Sequence, residues 1–336
     1  MRERQTLSTA WVERILGGKC RSEPVASDAG DRRYWRVHRD TLSYILMDAP
    51  PVVADIERFV RIAEQLRSLG LNTPRVHAQE PDQGLLLLDN LGTRHYLDAL
   101  SRGTVDRLYG DALAALVVIQ ACVSTAGLPR YDGPFLRREL ALFRDWLLIR
   151  QLGWELTDAE QAMLESAFDL LVEQALAQPQ VCVHRDFHSR NLMVTAPPSP
   201  GILDFQDSVL GPVTYDPVSL LRDCYIAWPR ERVEDWARGY AMLAVQSGIL
   251  RPKEEARFMT WFDLMGVQRH LKASGIFARL NIRDGKPGYL ADIPRTLGYV
   301  LEVAPAYPRL TEFADLIRDR VLPALPITES LGTSMT

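Results

Sequence analysis

The segment Val181–Asp207 reads VCVHRDFHSRNLMVTAPPSPGILDFQD: an apolar strand, a loop holding Asp186 and Asn191, a second strand, and Asp204 at the end of a third run, GILDF. Apolar runs this short, bounded by turn residues, read as buried strands rather than helices. The chain on either side is patterned as helices. The fold must therefore set a small β-element inside a mainly helical region, with Asp186, Asn191 and Asp204 at its strand ends.

Those residue types in that order suit one chemistry. The terminal phosphoryl of a nucleotide carries several negative oxygens, so a hydroxyl approaches it only if metal ions offset that charge and a carboxylate orients the attack. Asp186 is placed to be the orienting base. Asn191 can offer magnesium a neutral oxygen and Asp204 a charged one, and magnesium takes few ligands from protein. His184 and His188 are four apart, but the stretch lacks the glutamate of HExxH and sits between strand-like runs, which speaks against zinc. His184 is expected to pack within the loop, and His188 to be a loop residue or a substrate contact. The alternative reading is a loop whose Asp and Asn only cap turns.

At 336 residues, with 47% hydrophobic and 24% charged residues, the chain has the size and composition of a globular protein of two lobes around a cleft. Its formal charge of -4 argues against general nucleic-acid binding. No run is long enough for a membrane span and the N-terminus lacks a signal-type apolar core, so a cytoplasmic protein with no membrane partner is expected. Cys20, Cys122, Cys182 and Cys224 form no CxxC pair and read as reduced thiols.

Along the chain the pattern predicts a helix over Leu7–Leu16, strands over Pro24–Ser27, Tyr34–His38 and Leu42–Met47, a helix over Asp55–Leu69, and strands over Arg75–Ala78 and Gly84–Leu88. Beyond Gly92, helices are predicted over Thr104–Val123, Leu136–Ile149, Thr157–Gln178, Pro217–Ala227, Glu231–Gln246 and Glu254–Ala278. Thr157 with Glu160 has the spacing of a capping box.

The order H-R-D, four spacers, N, then D-F resembles the catalytic and metal-binding loops of the protein-kinase-like superfamily. The chain as a whole resembles the aminoglycoside phosphotransferase family, the small-molecule branch of that fold. Within it, SDAGDRRYWRV, YILMDAPP, VHRDFHSRNLMV, LDFQDSVLGPVTYDPVSLLRD and MGVQRHLKASGIFARLNIRDGKPGYLADIPR look closest to the kinases of cell-wall amino sugars. The resemblance implies a bilobal α+β fold: a small antiparallel-sheet lobe over residues 1–92, a larger mainly helical lobe over 93–325, and a polar tail over 326–336. It implies ATP and Mg2+, with Asp186 as base, Asn191 and Asp204 as magnesium ligands, and Asp216 bracing the catalytic loop. Adenine would lie against the linker that includes Leu88, Asn90 and Leu91, with the phosphates under the first hairpin. The implied reaction is phosphorylation of the anomeric hydroxyl of N-acetylmuramate or N-acetylglucosamine in cell-wall recycling. Two alternatives stand beside it: another small-molecule kinase of the same fold, acting on an aminoglycoside or amino alcohol, and a silent nucleotide-binding regulator.

One departure bears on the phosphates. Kinases of this fold carry a third-strand lysine, but the chain's four lysines are Lys19, Lys253, Lys272 and Lys286, and Met47 stands near the usual place. Arg32 and Arg33 are the nearest candidates to replace it. On the acceptor side, Arg257–Arg295 holds seven cations against three carboxylates, which favours an anionic or neutral sugar over a polycationic antibiotic. Arg269, His270, Gln206 and Asp207 are the candidate sugar contacts. The oligomeric state is not legible.

Overall fold

The computed structural model describes residues 2–25, 32–50 and 55–325, which form two compact units. The first comprises residues 1–123 and 190–207; the second comprises 124–189 and 208–336. The polar tail 326–336 lies outside the described residues, as do 26–31, where the phosphate loop is expected.

The first unit opens with helix α1 (Arg2–Leu16) and strands β1 (Arg21–Val25), β2 (Arg33–Arg39) and β3 (Leu42–Asp48). Helix α2 (Ile56–Ser68), β4 (Val76–Glu80) and β5 (Leu85–Asp89) follow. The strands form one antiparallel sheet in the order β1-β2-β3-β5-β4. Trp11 and Val12 of α1 pack on Val37, Leu46, Leu85 and Leu87 to make its core. β5, LLLLD, is buried on both faces, so its apolar run is continuous rather than alternating. Met47, paired with Tyr34 of β2, is 1% exposed, so the position nearest the expected third-strand lysine belongs to the apolar interior. The short α3 (Tyr96–Ala99) and α4 (Val105–Cys122) complete the main run.

The second unit begins with α5 (Gly133–Leu142), which runs into a π-helical stretch over Phe143–Gln151, and α6 (Asp158–Leu176). The capping box at the start of α6 is present: Thr157 N donates to Glu160 at 2.8 Å and Glu160 N to Thr157 Oγ1 at 3.3 Å. β6 (Gln180–Val183) ends this part. The chain then returns to the first unit for the two-residue strands β7 (Leu192–Met193) and β8 (Gly201–Ile202), which pair with each other. Their hairpin belongs there because Ile202 N donates to Asn72 O at 2.8 Å and Val194 N to Arg94 O at 2.9 Å.

β9 (Val209–Pro212) re-enters the second unit and pairs antiparallel with β6. The helices α7 (Tyr215–Leu221), α8 (Arg230–Gln246), α9 (Pro252–Asp284), α10 (Ile293–Val303) and α11 (Thr311–Leu316) follow. The helix expected over Pro217–Ala227 stops at Leu221. Arg222 leaves helical geometry at φ -118°, ψ 52°, and Asp223 turns its carboxylate onto backbone N–H groups. α9 outruns its predicted end and closes at Gly285, whose φ of 64° suits a residue without Cβ. Among the described residues no helix is long and apolar enough to cross a membrane.

Gly275 lets α9 press against the α5–π junction. A Cβ there would overlap the backbone of Leu142 and Phe143, which cannot swing aside as a side chain could. Gly275→Ala is therefore expected to lower stability by about 3 kcal/mol, read as the urea midpoint. Gly239→Ala on α8, where a Cβ meets nothing within 4 Å, is the control and is expected to stabilise by about 0.5 to 1 kcal/mol. Equal midpoints would show that α9 does not depend on the close approach.

Candidate active site

In the second unit, the loop after β6 is clamped at both ends by buried carboxylates. Asp216 accepts the N–H groups of His184 at 2.7 Å and Arg185 at 3.0 Å. Burial pushes its pKa up to about 7 even against those two donors. At the other end Asp223 accepts Ser189 N at 2.9 Å and Tyr225 N at 3.0 Å. Inside the loop Asp186 N donates to His184 Nδ1 at 3.3 Å, and His188 N to Asp186 O at 3.0 Å. Arg185 takes φ 78°, the left-handed region that non-glycine residues visit rarely. Its guanidinium holds it there by donating to Glu139 Oε1 at 2.7 Å.

Asp186 lines a cavity together with His188, Tyr225, Arg269, Lys272 and Phe277. Lys272 donates to Tyr215 Oη at 2.8 Å and lies 3.1 Å from Glu139 Oε1. Glu139 also accepts the Tyr131 hydroxyl, which in turn accepts from Gln268 Nε2 at 3.1 Å. These charges set the ionisation of the cavity wall. Burial acts to raise the Asp186 carboxyl, but Lys272, His188, Arg185 and His184 overcome it and hold the group below its usual value. Burial works against the Lys272 ammonium, while Glu139 and Tyr215 more than offset it, so the lysine keeps its proton.

In the first unit the β7–β8 hairpin sets Asn191 and Asp204 next to each other, since Leu203 N donates to Asn191 O at 2.9 Å. Asp204 takes φ 60°, and Gln206 Nε2 donates to its Oδ1 at 2.6 Å. Phe205 is fully buried, its ring 4.9 Å from that of Phe59 on α2. Arg32 Nη1 lies 3.9 Å from both Asp204 Oδ1 and Asp207 Oδ2. An amide and a carboxylate residue whose backbones this hairpin brings together offer oxygen donors of the kind a hard divalent ion takes.

The other expected residues fall as follows. Arg33 is exposed at the start of β2, and Leu88 is buried in β5. Asn90 donates to Ser43 Oγ at 2.9 Å and accepts Gly92 N at 3.1 Å. Leu91 packs beside Gly201, where a Cβ would approach it to 3.1 Å. His270 does not line the cavity: it is 1% exposed, pairs with Arg222 O at 2.8 Å and stacks on Tyr299 with ring centroids 4.8 Å apart. Burial pushes its pKa down to about 3, so it stays neutral. Sequence reading missed Glu139, which lies in an ordinary amphipathic helix, and took Lys272 only as part of a basic stretch. The available signal was the spacing of Arg269 and Lys272, three apart and so on one face of α9.

The phosphotransferase enzyme family model matches residues 21–254. The chain is 46% identical over 294 residues to the N-acetylmuramate/N-acetylglucosamine kinase of Pseudomonas putida, covering 88% of this chain and 86% of that protein. It is 39% identical over 301 residues to the kinase of the same name from Neisseria meningitidis, covering 88% and 89%. Among solved structures, the ADP-bound aminoglycoside phosphotransferase APH(2'')-Ib matches with a TM-score of 0.57 at 15% identity, covering 87% of this chain and 97% of that one.

The shared carboxylate of Glu139 generates a stability prediction. Burial tends to raise its pKa, but Lys272 and Arg185 hold it below the ordinary value. A depressed folded pKa contributes stability above the unfolded value, and that contribution is lost as pH falls through the folded one. Glu139→Ala, which strands two buried cations, is expected to cost about 3 to 5 kcal/mol at pH 7 by urea denaturation. Glu139→Gln is expected to flatten the loss of stability on acidification below about pH 4.5. An unchanged pH slope in Glu139→Gln would take Glu139 out of the ionic network.

Proposed function

Because the chain belongs to the phosphotransferase enzyme family, we propose that it is an ATP-dependent sugar kinase acting on the anomeric hydroxyl of N-acetylmuramate or N-acetylglucosamine. The observation that carries this reading is the 46% identity, across most of both chains, to a kinase named for those two sugars. The fold class agrees, an antiparallel sheet unit followed by a mainly helical one, and an ADP-bound structure of the same fold supports a nucleotide as donor.

In the proposed mechanism Asp186 accepts a hydrogen bond from the anomeric hydroxyl and takes its proton as the new O–P bond forms and the bond to the leaving ADP breaks. The Lys272 and Arg185 charges keep Asp186 ionised for that task, and the Asp216 and Asp223 clamps hold its backbone still, so little reorganisation is needed. Asn191 and Asp204 are the residues that would hold magnesium. When bound, magnesium offsets negative charge on the phosphate oxygens. Gln206 fixes the Asp204 carboxylate in one orientation. Arg32, whose Nη1 lies 3.9 Å from Asp204 Oδ1, is the candidate to contact a phosphate in place of the third-strand lysine. The product would be the sugar 1-phosphate.

An ADP-release assay with both sugars, their methyl glycosides and kanamycin tests this. Turnover is expected with the two free sugars and not with the glycosides, whose anomeric oxygen is blocked; release with kanamycin alone would move the enzyme to the antibiotic branch. Asp186→Ala is expected to lower kcat by about 10² to 10⁴ with the fold retained, and near-normal turnover would remove Asp186 from the reaction. The acid limb of the pH profile makes a separate test. A base works only when ionised, so activity falls as pH drops through the Asp186 pKa. Lys272→Met removes a charge that depresses that pKa and is expected to move the limb to higher pH. A limb that stays in place would show that Lys272 does not tune the base.

A further inference from the structure

Arg269 differs from the paired cations around it. Arg185 lies 2.7 Å and Lys272 3.1 Å from Glu139, and Arg222 lies 3.2 Å from Asp263. Arg269, only 7% exposed, has as its polar partner Cys224 Sγ at 3.7 Å, and among the described residues no carboxylate pairs with it. The Asp223 oxygens are already taken by Ser189 N and Tyr225 N. Asp223 and Asp186 favour its charge from beyond ion-pair distance, yet its direct polar partner is a thiol, a weak acceptor for a guanidinium. The guanidinium lines the same cavity as Asp186, so an anionic group on the occupant would complete it. Its planar fork matches a carboxylate. The same cavity has an aromatic wall, Tyr225 and Phe277 with ring centroids 6.3 Å apart, of the kind that takes the apolar face of a sugar.

We propose that Arg269 binds the carboxylate of the acceptor and thereby selects a carboxylate-bearing amino sugar over its neutral counterpart. This rests on the sugar-kinase reading above. Of the two sugars, N-acetylmuramate carries a lactyl carboxylate and N-acetylglucosamine does not, so the pair reports on this one contact. The other anion near the base, the transferred phosphoryl, is common to both substrates, and a residue serving it would affect both alike.

The test compares kcat/KM for N-acetylmuramate, its methyl ester and N-acetylglucosamine in the wild-type enzyme and in Arg269→Met and Arg269→Lys. In Arg269→Met the ratio of N-acetylmuramate to N-acetylglucosamine is expected to fall by about 10- to 150-fold, the range of one charge-assisted contact. Arg269→Lys should retain part of that ratio. The ester should lose a similar factor in the wild type, an arm that does not depend on any variant folding. Equal losses on both sugars in Arg269→Met, or an ester that performs as well as the acid, would overturn the assignment of Arg269 while leaving the kinase reading intact. Wild-type enzyme that releases no ADP with either sugar would overturn both.

Discussion

Glu139 accepts from three groups drawn from three parts of the chain: Tyr131 ahead of α5, Arg185 in the loop after β6, and Lys272 on α9. One buried carboxylate thus ties together the helix it sits on, the loop that carries Asp186, and the helix that forms the cavity wall. Its two cationic partners make its own burial tolerable, and it does the same for them. Such a network stabilises only when every member is present, because each lone charge left behind carries the full desolvation penalty. Arg185 shows what this supports. Its left-handed backbone is unfavourable by itself and persists because both its N–H and its guanidinium are held from outside the loop.

The same economy governs the first unit. The β7–β8 hairpin has only two residues per strand, too few to be stable alone, and it is docked through Asn72 and Arg94 onto chain far away in sequence. Phe205 anchors the turn after it in the apolar interior beside Phe59. Beside it, the Asp204 carboxylate accepts a hydrogen bond from Gln206 Nε2. Each unit thus fixes its polar groups by long-range contacts to otherwise ordinary elements.

Much of this was legible in the chain. The helices and strands follow apolar periodicity closely, and the Thr157 capping box is visible as a local pair. Elements were misjudged where side chains from elsewhere decide the ending. The helix at Leu221 stops because Asp223 serves a distant loop. No helix is predicted beyond α9, although Asp292 followed by Pro294 marks the start of α10 locally. His270 and Arg269 are neighbours in sequence and look alike as polar residues on one helix, yet one is packed against Tyr299 and the other lines the cavity. A helix turns about 100° per residue, so adjacent positions cannot share a face, and only the packing shows which face looks inward.

By itself the sequence determined the class of chemistry to expect and the candidate residues for it, because phosphoryl transfer draws on a carboxylate and oxygen ligands, and their spacing is written locally. It also determined the α+β architecture through its hydrophobic periods. Only the tertiary structure decided which charges share a partner and which face the cavity. Glu139, Lys272 and Arg185 are distant in the chain and unremarkable one by one, and that Arg269, among the described residues, meets a thiol rather than a carboxylate at close range is a property of its surroundings. Electrostatics in a low-dielectric interior depends on distances of a few ångströms between groups, and those distances exist only once the chain has folded.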